Sequence, residues 1–211
     1  MTSYRQEQLD GYRLVLDHLD TLGAEERQAL QKAISPYLDF RKRASEFLDT
    51  HFAGVCTQAC YDNQRSACCS KDGIVTFFAD IVVNALVSDP VSMEKIMARL
   101  GQQPHEGFKC IYLGPRGCLW QVKPLVCEMF LCDPALSEVF GSRSDLNTEW
   151  EALQQEKKRF SWPDRPVLFD HLEAVFIEAG LNSSLMYLHN SPGLLRVKRL
   201  AGLYDPTVGR Q

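Results

Sequence analysis

The sequence CTQACYDNQRSACC at residues 56–69 and the sequence CIYLGPRGCLWQVKPLVCEMFLC at residues 110–132 contain all eight cysteines of this 211-residue chain. The first block has the spacing Cys-x3-Cys-x7-Cys-Cys, and the second has the spacing Cys-x7-Cys-x8-Cys-x4-Cys. Thiolates are the usual ligands of structural zinc and of iron–sulfur clusters. Cysteines concentrated in two blocks of four therefore predict a metal-binding cluster.

Composition and charge exclude several other classes of protein. Hydrophobic residues make up 45% of the chain and charged residues 24%, as in ordinary globular proteins. The net charge of -4 gives no reason to expect a nucleic-acid partner. The N-terminus lacks the apolar core of a signal peptide, and no run approaches the roughly 18 apolar residues of a membrane span. We expect a cytoplasmic protein, and in that reducing compartment clustered thiols favour metal binding over disulfides.

The predicted fold is mainly α, with a small, irregular α/β cysteine-rich metal-binding centre. We expect an N-terminal helical arm over residues 1–52, the cysteine-cluster core over 53–135 and a C-terminal helical region over 136–211, together forming one compact domain. Apolar residues at helical spacing predict the arms, with a break or kink at Ser35-Pro36 and a last helix opening at Ser191-Pro192. The basic triplet Arg41-Lys42-Arg43 is predicted to face solvent.

Turn signals and short apolar runs predict the structure of the centre. Residues 74–78 are rich in strand formers, whereas residues 80–87 suit helix or strand equally. The turn Gly114-Pro115-Arg116-Gly117 predicts a small hairpin with a cysteine on each strand. Residues 125–131 predict a helical turn that carries Cys127. Structure of this kind buries little apolar area, so a metal would stabilise it.

The vicinal pair Cys68-Cys69 bears on how the ligands are shared. Adjacent side chains of an extended segment point to opposite faces, so each sulfur can join a different site. We therefore expect ligand sets drawn from both blocks, forming either two four-thiolate sites or one such site with additional thiols. His51 and His105 flank the blocks and are candidates for a metal ligand or for a residue that contacts a ligand. Asp62, Asp80, Glu106 and Glu128 are candidate acid–base groups beside a metal. The predicted metal ligands are Cys56, Cys60, Cys68, Cys69, Cys110, Cys118, Cys127 and Cys132.

Several familiar cysteine motifs are excluded by the spacing. Radical adenosylmethionine enzymes would need a cysteine where the chain has Asn63, and the Cys-x2-Cys knuckles of zinc ribbons are absent. The sequence instead resembles the YkgJ-type cysteine-cluster proteins, regarded as zinc- or iron-chelating domains. The resemblance spans Cys56 to Cys132 and includes Lys123-Pro124-Leu125-Val126-Cys127. It implies a cysteine-bound metal, and a similar module in flagellin lysine N-methylases extends the comparison to methyltransferases.

The function predicted first is that of a metal-binding protein holding a 4Fe–4S cluster or zinc. An alternative is an iron–sulfur-dependent modifying enzyme, such as a protein lysine methyltransferase. Another is a thiol redox protein in which the vicinal pair, or Cys127 with Cys132, cycles through a disulfide. The sequence shows no nucleophile–base constellation and no phosphate-binding loop, so a catalytic role would depend on the metal.

Overall fold

The computed structural model describes residues 4–58, 62, 76–102, 110–114, 117–141, 143–161 and 167–186. Within these ranges the chain is mainly helical, which confirms the coarse fold prediction. A single antiparallel pair of short strands accompanies the helices in this part of the chain. The elements are α1 (Tyr4–Thr21), α2 (Ala24–His51), α3 (Ala53–Cys56), α4 (Phe78–Val87), α5 (Pro90–Gly101), β1 (Leu113–Gly114), β2 (Gly117–Cys118), α6 (Leu125–Glu128), α7 (Asp133–Phe140), α8 (Ser144–Lys157) and α9 (Leu168–Glu178).

Helix α4 forms the centre of the core. Every residue from Phe78 to Leu86 is buried, as expected for a helix that is apolar on nearly all sides. The helix contacts α1 and α9, and Phe78 meets Phe176 of α9 edge-on, with 5.0 Å between ring centroids. The segment that suited helix or strand equally is therefore the central helix of the fold.

The strand predicted for residues 74–78 is wrong at its C-terminal end. Phe78 is the first residue of α4, and Phe77 precedes it in an extended conformation as the N-cap. Asp80 accepts a hydrogen bond from the Phe77 backbone N–H at 3.0 Å, which satisfies a donor at the helix start. Burial of the following helix outweighs the strand propensity of the aromatic residues. Residues 74 and 75 lie outside the described residues.

The sequence predicts a break or a kink at Ser35-Pro36, and the break is wrong because helix α2 continues through Pro36. Proline removes one hydrogen bond of the helix, but both residues lie on the exposed face. The opposite face buries Ile34, Tyr37 and Phe40, with Phe40 stacked on Phe160 at 5.3 Å between ring centroids. Tertiary packing on that face keeps the residues on both sides of Pro36 helical.

The sequence Ser88-Asp89-Pro90 predicts a helix cap followed by proline, and helix α5 begins at this point. Asp89 is its N-cap and accepts the Ser92 backbone N–H at 2.9 Å, and Pro90 occupies the first turn. Helix α9 buries Phe169, Leu172 and Phe176 on the predicted apolar face.

Buried side chains from all three predicted parts of the chain join one hydrophobic core, for example Tyr12, Leu125 and Phe169. The domain boundaries themselves stay a prediction, and the helix predicted from Ser191-Pro192 lies outside the described residues. In the parts that the structure describes, none of the helices has the length and apolar character needed to cross a membrane.

Candidate metal centre

One cavity of about 320 Å³ is lined by four of the predicted metal ligands, Cys56, Cys110, Cys118 and Cys127. The first of these belongs to the N-terminal block, and the other three belong to the C-terminal block. Residues from α2, α3, the hairpin and α6 form its walls. The cavity therefore brings one cysteine of the first block and three of the second to the same part of the fold.

The remaining candidates lie elsewhere or outside the described residues. Cys132 is partly buried at the N-cap of α7 and does not line the cavity. His51 packs against Phe47 at 4.9 Å between ring centroids, also away from the cavity, and Asp62 is exposed. Among the described residues alone, no group of three or more His, Cys, Asp or Glu side chains is placed to hold a metal ion. The candidates outside these residues are Cys60, Cys68, Cys69, His105 and Glu106.

The position of Cys56 follows from the anchoring of α3. Phe52 is buried immediately before this helix and meets Phe140 of α7 edge-on, with 5.4 Å between ring centroids. The backbone N–H of Cys56 donates to the Phe52 carbonyl at 2.9 Å. Cys56 is exposed at the end of the helix and lines the cavity.

The hairpin places two further cysteines and is confirmed where the structure describes it. Leu113 pairs with Cys118 across the two strands, so Cys118 lies on β2. Cys110 precedes β1 rather than lying on it, which corrects the prediction of a cysteine on each strand. The backbone N–H of Leu119 donates to the Tyr112 carbonyl at 2.9 Å and extends the pairing beyond the strands.

Burial and nearby backbone N–H groups have opposite effects on the pKa values of the two hairpin cysteines. Burial raises the pKa of the Cys110 thiol to about 11, and the N–H groups of Tyr112 and Leu113 act in the opposite direction. Burial also raises the pKa of Cys118, whereas the N–H of Trp120 lowers it. N–H donors stabilise the thiolate rather than the thiol. The local backbone is thus arranged for charged sulfur, although burial without a metal keeps these thiols protonated.

Two polar residues of α4 hold the segment between Cys118 and Cys127. Asp80 accepts the Leu125 backbone N–H at 3.0 Å, in addition to that of Phe77. Asn84 accepts the N–H groups of Gln121 and Val122 at 3.0 and 3.1 Å. Both side chains are buried, so these hydrogen bonds fix the start of α6 and therefore the position of Cys127. Asp80 thus serves as a structural acceptor, with both carboxylate oxygens engaged by backbone donors.

Arg41 of α2 also contacts the segment between Cys118 and Glu128. The prediction that Arg41 faces solvent is wrong. Its side chain is buried and contacts the buried carboxylate of Glu128 through Nε, at 2.8 Å, and through one terminal nitrogen. The same terminal nitrogen donates to the Lys123 carbonyl at 2.7 Å. Lys42 and Arg43, the other members of the basic triplet, are exposed as predicted. Arg41 thereby links α2 to the cysteine-bearing turn α6.

The buried carboxyl of Asp80 predicts a specific pH dependence of stability. Burial raises its pKa from 3.8 to about 6, against the opposing effects of the Leu125 N–H, the Arg41 charge and the Phe77 N–H. Between these two values the folded state binds more protons than the unfolded state, so this contribution to stability falls as pH rises from about 4 to about 6. We expect the difference in free energy of unfolding between wild type and Asp80→Asn to fall over that window in denaturant titrations. A difference that is constant over the window, or that rises with pH, would contradict the prediction.

Comparisons of the chain with protein-family models, with curated proteins and with solved structures give no match. The resemblance to the YkgJ-type proteins therefore stays a prediction from the cysteine pattern.

Proposed function

We propose that this protein binds a metal centre through cysteine thiolates at the cavity, as an iron–sulfur cluster or zinc. The observation that supports this most directly is the convergence of Cys56, Cys110, Cys118 and Cys127 on one cavity. These residues are separated by up to 71 positions along the chain, and they approach one another only through the fold. Cys60, Cys68, Cys69 and Cys132 are proposed as further ligands from the sequence alone.

The electrostatics of the cavity support a thiolate-bound group. Buried thiols with raised pKa values lose their protons when a metal binds, because the cation replaces the proton as the positive partner. Peptide N–H groups near the two sulfurs favour their charged form, and such groups also stabilise thiolates that are bound to a metal.

The cavity has room for an iron–sulfur cluster as well as for a single zinc ion. Four thiolates that close on a zinc ion, at about 2.3 Å each, leave no open space inside the site. A cluster places iron and sulfide between its cysteines and so needs a larger volume. The volume of about 320 Å³ is well above the roughly 30 Å³ that one water occupies in the liquid.

Purification without oxygen or chelators tests the proposal. The protein should be brown with broad visible absorption, and it should contain iron and acid-labile sulfide. Zinc in a colourless protein would support the same ligands with the other metal. Protein that contains neither iron nor zinc under these conditions would refute the proposed function.

Serine substitutions identify the ligands. Cys110→Ser and Cys118→Ser should each lose more than half of the bound metal and lower the melting temperature, because an uncharged hydroxyl is a much weaker ligand for these metals than a thiolate. Cys132→Ser is the matched comparison, since this cysteine is partly buried but does not line the cavity. Metal content equal to wild type in both Cys110→Ser and Cys118→Ser would remove these residues from the ligand set.

The thiol redox alternative concerns the pair Cys68-Cys69, or Cys127 with Cys132, and it stays a prediction from the sequence. The modifying-enzyme alternative and the cytoplasmic location stay predictions from the sequence.

A further inference from the structure

A cluster of three charged side chains lies at the wall of the cysteine-lined cavity. Lys123 and Glu128 both line this cavity, together with Cys118. The Lys123 ammonium lies 3.6 Å from Glu128 Oε1, and the buried Arg41 donates to Glu128 Oε2 through its Nε at 2.8 Å. The Arg41–Glu128–Lys123 cluster therefore pairs two cations with one carboxylate, which leaves a positive charge in excess.

The backbone that carries Lys123 is fixed beside the cavity. The carbonyl of Lys123 accepts a hydrogen bond from Arg41 at 2.7 Å, and the preceding N–H of Val122 donates to Asn84 at 3.1 Å. Glu128 is buried and lies in close contact with Arg41, whereas the side chain of Lys123 is about half exposed. The excess positive charge of the cluster is therefore that of Lys123.

The charge of Lys123 acts on a cysteine of the cavity. Burial has the largest effect on the pKa of the Cys118 thiol and raises it, whereas the Lys123 ammonium lowers this pKa and the Glu128 carboxylate raises it. In the part of the chain that the structure describes, the other charged residue of the cavity wall is Asp49, which is exposed. Coulomb interactions depend on charge and distance, so a charged group bound to Cys118 would interact with Lys123 and Glu128 in the same two directions.

We propose that Lys123, held by Glu128 and Arg41, provides the positive charge that balances a negatively charged, thiolate-ligated metal centre in this cavity. The inference rests on the proposed function, because it requires a metal centre there. Four thiolates carry more negative charge than a zinc ion neutralises, and an iron–sulfur cluster with four thiolates is also negative. Net charge in a partly buried site is costly unless an opposite charge lies nearby. Lys123 acts through its charge and is not a metal ligand.

The expected consequence is that the two charges at the cavity wall shift the reduction potential of an iron–sulfur cluster in opposite directions. One electron from an added chemical reductant makes the cluster more negative, and net charge is a determinant of cluster potential. A nearby cation stabilises the reduced form, and a nearby carboxylate destabilises it. Removing the charge of Lys123 should make the cluster harder to reduce, and removing the charge of Glu128 should make it easier to reduce.

Lys123→Met and Glu128→Gln are the two tests, because each removes one charge and keeps a side chain of similar size. We expect the equilibrium constant for one-electron reduction to fall about threefold in Lys123→Met and to rise about threefold in Glu128→Gln, which corresponds to shifts of about 28 mV in opposite directions. Lys42→Met is the matched control, since Lys42 is exposed and does not line the cavity. Its midpoint potential should equal that of wild type.

The outcomes separate this inference from the proposed function. If iron-loaded Lys123→Met has the wild-type potential, or if both variants shift in the same direction, the inference is overturned and the proposed function stays intact. Wild-type protein without iron or zinc would refute the proposed function, and the inference with it. If the bound metal is zinc, competition with a chelator should show about threefold weaker retention in Lys123→Met and about threefold stronger retention in Glu128→Gln. Retention equal to wild type in both variants would overturn the inference.

A second pair of variants applies if Glu128→Gln does not fold. Lys123→Arg keeps the positive charge, and Lys123→Gln removes it. The reduction potential of Lys123→Arg should equal that of wild type, and that of Lys123→Gln should equal that of Lys123→Met. A potential of Lys123→Arg as low as that of Lys123→Met would overturn the inference, because the shift would then follow the shape of the side chain and not its charge.

Discussion

Replacing Arg41 by methionine is expected to lower the free energy of unfolding by about 3–5 kcal/mol, the typical cost of removing one partner of a buried ion pair. The substitution leaves the carboxylate of Glu128 buried, and among the described residues its remaining cation partner is Lys123 at 3.6 Å. It also removes the donor to the Lys123 carbonyl. Urea denaturation of the two proteins, compared at the same pH and salt concentration, measures the difference.

Arg43 is a matched control within the same helix. It also contacts a glutamate of another helix, with a nitrogen–oxygen distance of 2.9 Å to Glu156, but its side chain is about half exposed. Exposed ion pairs contribute about 0–1 kcal/mol, so Arg43→Met should have a small effect. If the two substitutions lowered the free energy of unfolding equally, burial of the Arg41–Glu128 pair would add nothing to its contribution to stability.

A double variant tests the reason for the loss. Replacing Arg41 by methionine and Glu128 by leucine removes both charges together, and apolar replacement of a buried ion pair is often neutral. The double variant should therefore recover much of the stability that Arg41→Met loses. No recovery would mean that the loss comes from the other contacts of Arg41 and not from the isolated carboxylate.

Replacing Asn84 by alanine is expected to lower the free energy of unfolding by about 3–4 kcal/mol, because each backbone donor left without an acceptor costs about 1–3 kcal/mol. Asn84 is fully buried and accepts from the N–H groups of Gln121 and Val122. The segment that leads to Cys127 would lose these two anchors. Denaturant titration measures the loss of stability, and analysis of bound metal shows whether the cavity is also affected.

Asn147 supplies the control for this substitution. It is partly exposed on α8, where its amide donates to Glu151 at 3.0 Å in an exposed hydrogen bond within the same helix. Exposed substitutions of this kind usually change stability by less than about 0.5 kcal/mol. If Asn84→Ala were no more destabilising than Asn147→Ala, the hydrogen bonds to the 121–122 segment would be dispensable.

The helical spacing of apolar residues in α2 predicts that Arg41 is buried, although it stands in a run of three basic residues. Tyr37, Phe40, Ala44 and Phe47 repeat every three or four residues and form the buried face of α2. Arg41 lies four positions after Tyr37 and three before Ala44, so the helical period places it on that face. The prediction places all three residues of Arg41-Lys42-Arg43 in solvent. Consecutive residues of a helix point in different directions, so the three do not share one environment.

The roles of Asp80 and Asn84 could not have been predicted from the sequence, in which the two residues only interrupt an apolar run. The backbone N–H groups that they accept, those of Gln121, Val122 and Leu125, lie 37 to 45 positions away along the chain. Only the fold brings these groups together.

By itself the sequence determined the mainly helical class, the cap at Asp89 and the hairpin before the turn carrying Cys127, because periodicity, capping and turn chemistry act over a few residues. It also restricted the candidate ligands to two cysteine blocks. Only the tertiary structure decided that residues 78–87 form a buried helix and that Pro36 is accommodated. The same contacts brought Cys56 to the cavity that Cys110, Cys118 and Cys127 line. These outcomes depend on burial and on hydrogen bonds between residues distant in the chain, which local patterns do not encode.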